Sequence, residues 1–371
     1  MRGRNRLKIL AGVVLAGALG APAATAAAVT GQPASQPEQS HYNVGAAHSP
    51  QLLRQRAGPA RHGGHPTRPS AGPRRAVQGV DVAAFQHPGG RAINWPRVAR
   101  ARIQFAAIKA TEGNYYVNPY YARDLARATA SGLKVMAYGF ANPRPHAGNG
   151  TAAGQARFLV RHAGTVHGQR PAMMLDIEYN PYKGGICYRL RPAAMVGWLK
   201  RFDAEIQELT GRLPVIYTTA GWWDKCTGGS RAFAQSPIWP AAWTTGRRPW
   251  LPRGWRNWAL WQYTSTATVP GIPDAGGTDL DALNLIAPGR QKTAVGKRVS
   301  VAVSQRVRGS KPGLTYSAAR LPAGLAVHPS GVIAGTPIVP AKPSSTVTAG
   351  AEGKNLGSVG VTWHVASQLP S

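Results

Sequence analysis

The stretch MMLDIEYN, residues 173–180, places two carboxylates, Asp176 and Glu178, two positions apart at the end of an apolar run. The chain holds only 14 acidic residues against 44 basic ones, so acids set beside an apolar run call for a chemical reason. If the run is a β-strand, positions i and i+2 face one way and lie roughly 7 Å apart, at ~3.3 Å per residue. Other acids hold similar places: Asp81 in VDVAAF, Glu112 directly after QFAAIKAT, and Asp279 in TDLDALNL, with Asp281 facing the same way as Asp279. Clustered carboxylates bind a hard cation, form ion pairs with Arg or Lys, or cleave glycosidic bonds. In the last case one carboxyl keeps its proton as general acid while another stays ionised, and crowding like charges drives their pKa values apart. No segment resembles a calcium loop. Acids converging on one rim are a poor way to build stability through ion pairs. Glycosidic chemistry is therefore the expectation, with no metal.

The aromatic residues agree. Trp222, Trp223, Trp239, Trp243, Trp250, Trp255, Trp258 and Trp261 crowd the second half with Tyr217 and Tyr263. Sugar rings present C–H faces that stack on aromatic faces. About half of these tryptophans are expected to be core, and Trp258 and Trp261, within a predicted strand, are read as packing residues.

These side chains need elements to hold them. Apolar runs recur at 80–85, 104–111, 133–141, 171–179, 213–219, 236–243, 258–264 and 278–285, each of a length that suits a strand buried on both faces. Between the first five lie helical patterns. The clearest covers 193–210, where Met195, Trp198, Leu199, Phe202, Ile206 and Leu209 recur at steps of three or four, after Pro192 and before Gly211. Strand–helix alternation predicts an α/β fold of parallel units: an irregular (β/α) barrel with eight strands and fewer helices, regular only in its first half. An open doubly wound sheet is the alternative. In such a barrel the acids would meet at the C-terminal ends of the strands.

The flanks differ in character. Arg2, Arg4, Arg6 and Lys8 precede an apolar run to Gly20 and then APAATAAA, the layout of a secretory signal peptide over residues 1–28. The run is short for a membrane anchor and no later segment is apolar enough to cross a bilayer, so a secreted, extracellular protein without stable membrane insertion is expected. Residues 29–77 are rich in Pro, Gly, Ala and Arg, with six Arg and no acid between Gln51 and Gln78, and read as a disordered cationic linker. Residues 78–289 carry the barrel pattern. Residues 290–371 hold short strand-like runs and a single acid, Glu352, and read as a small all-β sandwich. Its expected role is stabilising or spacing, with wall binding as a second reading. In an oxidising compartment the two cysteines, Cys187 and Cys226, are expected to form one disulfide, two free buried thiols being the alternative. The net charge of +30 calls for a polyanionic partner. No nucleic-acid-binding signature occurs, and export leaves anionic cell-wall polymers as the expected partner.

Taken in order, GVDVAAFQ, FAAIKATEG, MAYGFANP, MMLDIE, PVIYTTAGWW, WALWQYT and TDLDALN resemble the family 25 glycoside hydrolases, lysozymes of the Chalaropsis type, over residues 79–288. LPAGLAVHPSGVIAGTP is similar to the immunoglobulin-like domains appended to exported bacterial proteins. The first resemblance implies a muramidase, acting as a monomer without cofactor. It would hydrolyse the β-1,4 bond between N-acetylmuramic acid and N-acetylglucosamine in peptidoglycan. By motif, Glu178 matches the general acid, and Asp81, Asp176 and Asp279 match the acids of the cleft. Tyr138 matches a sugar-contacting tyrosine, and Glu112 and Gln262 stand in motifs near the groove and are expected to bind substrate. Two positions depart from the pattern: Gly139 stands where many members have His, and Asp281 where Asn is common. The first is expected to alter a substrate contact, the second to raise the pKa of Asp279. A wall-binding protein without catalysis is the alternative function; a chitinase-like hydrolase and a nucleic-acid binder are further rivals.

Overall fold

The computed structural model describes residue 73 and residues 76–367, apart from 144–150, 169, 183, 245, 274–276, 287, 305–313 and 352–353. The predicted signal peptide (1–28) and nearly all of the predicted linker (29–77) lie outside the described residues.

The first body is built from β1 (Ala76–Val82), α1 (Trp95–Arg100), β2 (Ile103–Glu112), β3 (Tyr116–Val117), α2 (Tyr121–Ala130), β4 (Lys134–Phe140) and α3 (Ala152–His162). It continues through β5 (Ala172–Asp176), α4 (Pro192–Thr210), β6 (Val215–Thr218), α5 (Ala220–Thr227), β7 (Ile238–Pro240), β8 (Leu260–Ala267) and β9 (Thr278–Ile286). The strands run in the order β7-β6-β5-β4-β2-β1-β9-β8, and a bridge from Ala241 to Gln262 joins the two ends into a nearly closed barrel. All eight predicted strands are present, and β3 adds a short hairpin to the end of β2.

One feature departs from uniform parallel units: β9 runs antiparallel to both β1 and β8. A parallel return needs a crossover of a dozen or more residues, usually helical, and the short link from β8 to β9 contains no helix among its described residues. The helices end as their sequences require. Pro192 opens α4, and Gly211, at φ 72°, closes it in the left-handed conformation that favours glycine.

Strand alternation sorts the apolar residues into two layers. Val77, Phe105, Ala107, Met136, Tyr138, Met174, Val215 and Tyr217 belong to the layer inside the barrel. Val80, Ile108, Ala137, Leu175, Ile216 and Trp261 pack outward with the helices. Phe105 crosses the interior against Gly79, where a Cβ would lie 2.1 Å from its ring, so only glycine fits there. Six of the eight tryptophans between 222 and 261 are buried, more than the half expected; only Trp243 and Trp250 are not.

The second body is a two-sheet sandwich. It comprises β10 (Gly289–Ala294), β11 (Val299–Ala302), β12 (Thr315–Ala319), β13 (Leu325–His328), β14 (Val332–Gly335), β15 (Ser344–Ala351) and β16 (Lys354–Ala366). The sheets are β10-β16-β15-β12 and β11-β14-β13. Its core is continuous with the barrel interior: Leu356, Val361 and Trp363 cluster with Leu283 and Leu285 of β9. A Cβ on Gly357 would lie 2.3 Å from Leu283, and the Ile286 N–H donates to the Val303 carbonyl at 2.7 Å. The contact falls at the end of β9 far from Asp279, so the sandwich covers the barrel floor. β1 begins at that end too, at Ala76 opposite Ile286, two residues inside the segment read as linker. Among the described residues no helix is long and apolar enough to cross a membrane.

Candidate active site

β1 and β9 bring the first acids together. Asp81 stands opposite Asp279 in register, Gly79 opposite Asp281, and Gln262 of β8 opposite Asp281 on its other side. The Gln262 amide nitrogen donates to Asp81 Oδ2 at 3.0 Å, while its oxygen accepts from the Tyr217 hydroxyl at 3.1 Å and from Trp243 Nε1 at 3.3 Å. Asp281 accepts from Trp239 Nε1 at 2.7 Å. Burial first, then the neighbouring Asp81 charge and a carboxyl–carboxyl hydrogen bond to it, push the Asp281 pKa well above the carboxylate range, against the opposing pull of Trp239. The extra acid thus interacts with Asp81.

β5 supplies the other pair. It ends at Asp176, but the Ile177 N–H still donates to the Tyr217 carbonyl at 3.0 Å, so the extended conformation continues. Ile177 packs outward with Leu175, and alternation returns Glu178 to the side of Asp176. The acids are deeply set: Asp81 and Asp176 are each 5% exposed, Asp279 2% and Glu178 1%.

Tyr138, buried in β4, reports their convergence. Burial, then the charges of Asp81, Asp176, Asp279 and Glu178, raise its hydroxyl pKa well above 10, so it stays a proton donor amid all four. Residues drawn from nearly two hundred positions of sequence therefore lie within electrostatic reach of one buried hydroxyl in β4. Tyr188 is raised in the same way, by burial and then by Glu178, Asp176 and Glu112. Its hydroxyl donates to the Ala141 carbonyl at 3.3 Å.

Glu112 belongs to a separate buried cluster beside the four acids. Lys109 Nζ lies 2.7 Å from one oxygen; the hydroxyls of Tyr115, at 2.8 Å, and Tyr182 donate to the other. Burial opposes the Glu112 charge, but Lys109 and these donors outweigh it and hold the pKa below its usual value. Glu112 and Gln262, both expected to touch substrate, are buried with their polar atoms engaged by the protein. Cys187 and Cys226 form the expected disulfide, tying the loop that follows Glu178 to α5.

Gly139 faces outward. A Cβ there would sit 3.1 Å from Thr111 Oγ1 and 3.3 Å from Leu159, so this departure from the motif lies on the helix side and not among the acids. Sequence reasoning missed Tyr188, and did not assign Trp239, Tyr217 or Trp243 to the hydrogen bonds behind Asp281 and Asp81. The inward parity of 215, 217 and 239 along β6 and β7 could have found Tyr217 and Trp239. Tyr115 and Tyr182 sit in loops, where no periodicity marks them. Among the described residues no group of three or more His, Cys, Asp or Glu forms a metal-holding arrangement.

Residues 80–272 match the family described as Glycosyl hydrolases family 25, and residues 282–366 match the family of an Ig domain. Lysozyme M1 of Streptomyces globisporus is 34% identical over 293 residues, covering 76% of this chain and 92% of its own. The N,O-diacetylmuramidase of Chalaropsis sp is 32% identical over 219 residues, 57% of this chain and 100% of its own. Among solved structures, the bacterial lysozyme of Streptomyces coelicolor aligns with a TM-score of 0.51 at 36% identity, covering 56% of this chain and 92% of that one.

Proposed function

The chain belongs to the glycosyl hydrolases of family 25, and we propose that it is a secreted lysozyme cleaving the β-1,4 bond between N-acetylmuramic acid and N-acetylglucosamine in peptidoglycan. The observation that carries this reading is the convergence of Asp81, Asp176, Glu178 and Asp279 on the Tyr138 hydroxyl. Export is supported by the signal-like residues 1–28 and fits a wall substrate.

Glu178 is the general acid. Burial among other carboxylates favours the proton-bearing form of one of them, and Glu178 is the most buried of the four. Its proton passes to the glycosidic oxygen as that bond breaks, and the positive charge developing at the anomeric carbon is met by the carboxylates opposite. Asp81 or Asp176 stabilises that charge or orients the substrate's N-acetyl group; Gln262 and Asp281 hold Asp81 in place for the task. Tyr138, kept protonated by burial and the surrounding negative charge, offers its hydroxyl to a polar group of the sugar. A water then completes hydrolysis, with its proton returned to Glu178.

Mass spectrometry of digested peptidoglycan tests the proposal. New reducing ends at N-acetylmuramic acid are expected, and Glu178→Gln should abolish them while leaving the thermal transition in place. No new reducing ends would assign a wall-binding protein, and equal cleavage of chitin oligomers a chitinase-like one.

A further inference from the structure

We propose that the ring of Tyr115 is a stacking platform for a sugar of the glycan strand next to the bond that is cleaved; this rests on the muramidase reading above. Tyr115 is 50% exposed, on the hairpin that leads off the mouth end of β2. Isolated exposed apolar side chains are ordinary. This one differs in being fixed at both its tip and its underside. Its hydroxyl donates to Glu112 Oε1 at 2.8 Å and accepts from Asn142 Nδ2 at 2.9 Å. Its ring lies over Gly113, at φ 52°, where a Cβ would come within 2.4 Å of it. The polar end is thus consumed by the protein, and a flat apolar surface is left facing solvent.

The platform borders the acids. Asn142, which holds the Tyr115 hydroxyl, follows Ala141, whose N–H donates to the Asp176 carbonyl at 2.8 Å and whose carbonyl accepts from the Tyr188 hydroxyl. Tyr182, from the loop after Glu178, reaches the same Glu112 oxygen, so Glu112 is a positioning residue that ties the platform to the loop carrying the acid. Lys109 neutralises Glu112 from within. A ring held this way loses little freedom when a pyranose C–H face settles on it.

The test uses the full chain carrying Glu178→Gln, so that ligand binds without turnover, and calorimetric titration with a peptide-free hexasaccharide of alternating N-acetylglucosamine and N-acetylmuramic acid. Tyr115→Ala should raise Kd about 3–10-fold, whereas Tyr115→Phe, which keeps the ring, should raise it less than about 2-fold. Tyr115→Leu, apolar but without an aromatic face, gives the same reading if the alanine variant does not fold. Unchanged affinity in the alanine or leucine variant overturns the proposal. So does an equal loss with phenylalanine, which would credit the hydroxyl anchors instead. If the parent chain without Glu178→Gln leaves peptidoglycan intact, the muramidase reading falls first and this inference with it.

Discussion

Gln262 presents only its NH2 edge to Asp81, because its oxygen is already taken by Tyr217 and Trp243. Two donors behind the amide fix its orientation, and the amide turns them into one donor aimed at a carboxylate. Gln262→Glu would set a second carboxylate against Asp81, with Asp281 already alongside. The variant should lose about 100-fold in kcat, read as the rate of reducing-end release from purified peptidoglycan. Wild-type turnover would separate Gln262 from the chemistry of Asp81.

Asp281 makes stability depend on pH. Its folded pKa is raised by burial and by Asp81. Its contribution is therefore fully present below the unfolded carboxylate pKa, about 3.9, and is lost as pH rises toward the folded value. Asp281→Asn keeps an acceptor for Trp239 and gives Asp81 a permanent donor. It should stabilise the fold by about 1–2 kcal/mol near pH 8 and flatten the dependence of Tm on pH above 4. Calorimetry of both proteins from pH 4 to 8 checks this; parallel curves would show that Asp281 is not the titrating group.

Lys109 and Glu112 form a buried ion pair, and removing one partner strands the other. Lys109→Met should cost about 3–5 kcal/mol, while the double variant Lys109→Met with Glu112→Gln should recover much of that loss. The Glu112 pKa lies below its unfolded value, so the stability it supplies is present above the unfolded pKa and lost as pH falls through the folded one. Urea melts of the two single variants and the double variant at pH 7 give the coupling; strictly additive effects would mean the pair is not coupled.

The Cys187–Cys226 disulfide spans 39 residues of sequence. A loop of that length stabilises by about 4 kcal/mol through the entropy of the unfolded chain. Cys187→Ala with Cys226→Ala should lower Tm by several degrees. It should also shorten the lifetime of activity on heating, since the tied loop begins just after Glu178. An unchanged thermal inactivation rate would remove the disulfide from that role.

Much of the barrel was legible because its strands are buried on both faces and read as unbroken apolar runs, as MMLDIE and PVIYTT do. The acids were legible because two-residue alternation places Asp176 with Glu178 on one side. The reversed direction of β9 was not, since a strand's sequence does not encode its direction; the short link from β8 does, once it is recognised as too short for a crossover. The tryptophans misled in part. Their number suggested sugar contacts, yet Trp222, Trp223 and Trp255 are packing residues in the layer beneath the helices, alongside Trp258 and Trp261, which their place in a strand had marked as packing. Tyr115 and Tyr182 were illegible as partners because 67 residues separate them and only the folded barrel brings both hydroxyls to Glu112.

Leu283 against Gly357 has one more implication. With the floor of one body packed against the other, melting either one exposes apolar surface on its neighbour, and heating the whole chain should give a single calorimetric peak. A chain cut after Pro288 would bare an oily underside around Leu283 and Leu285.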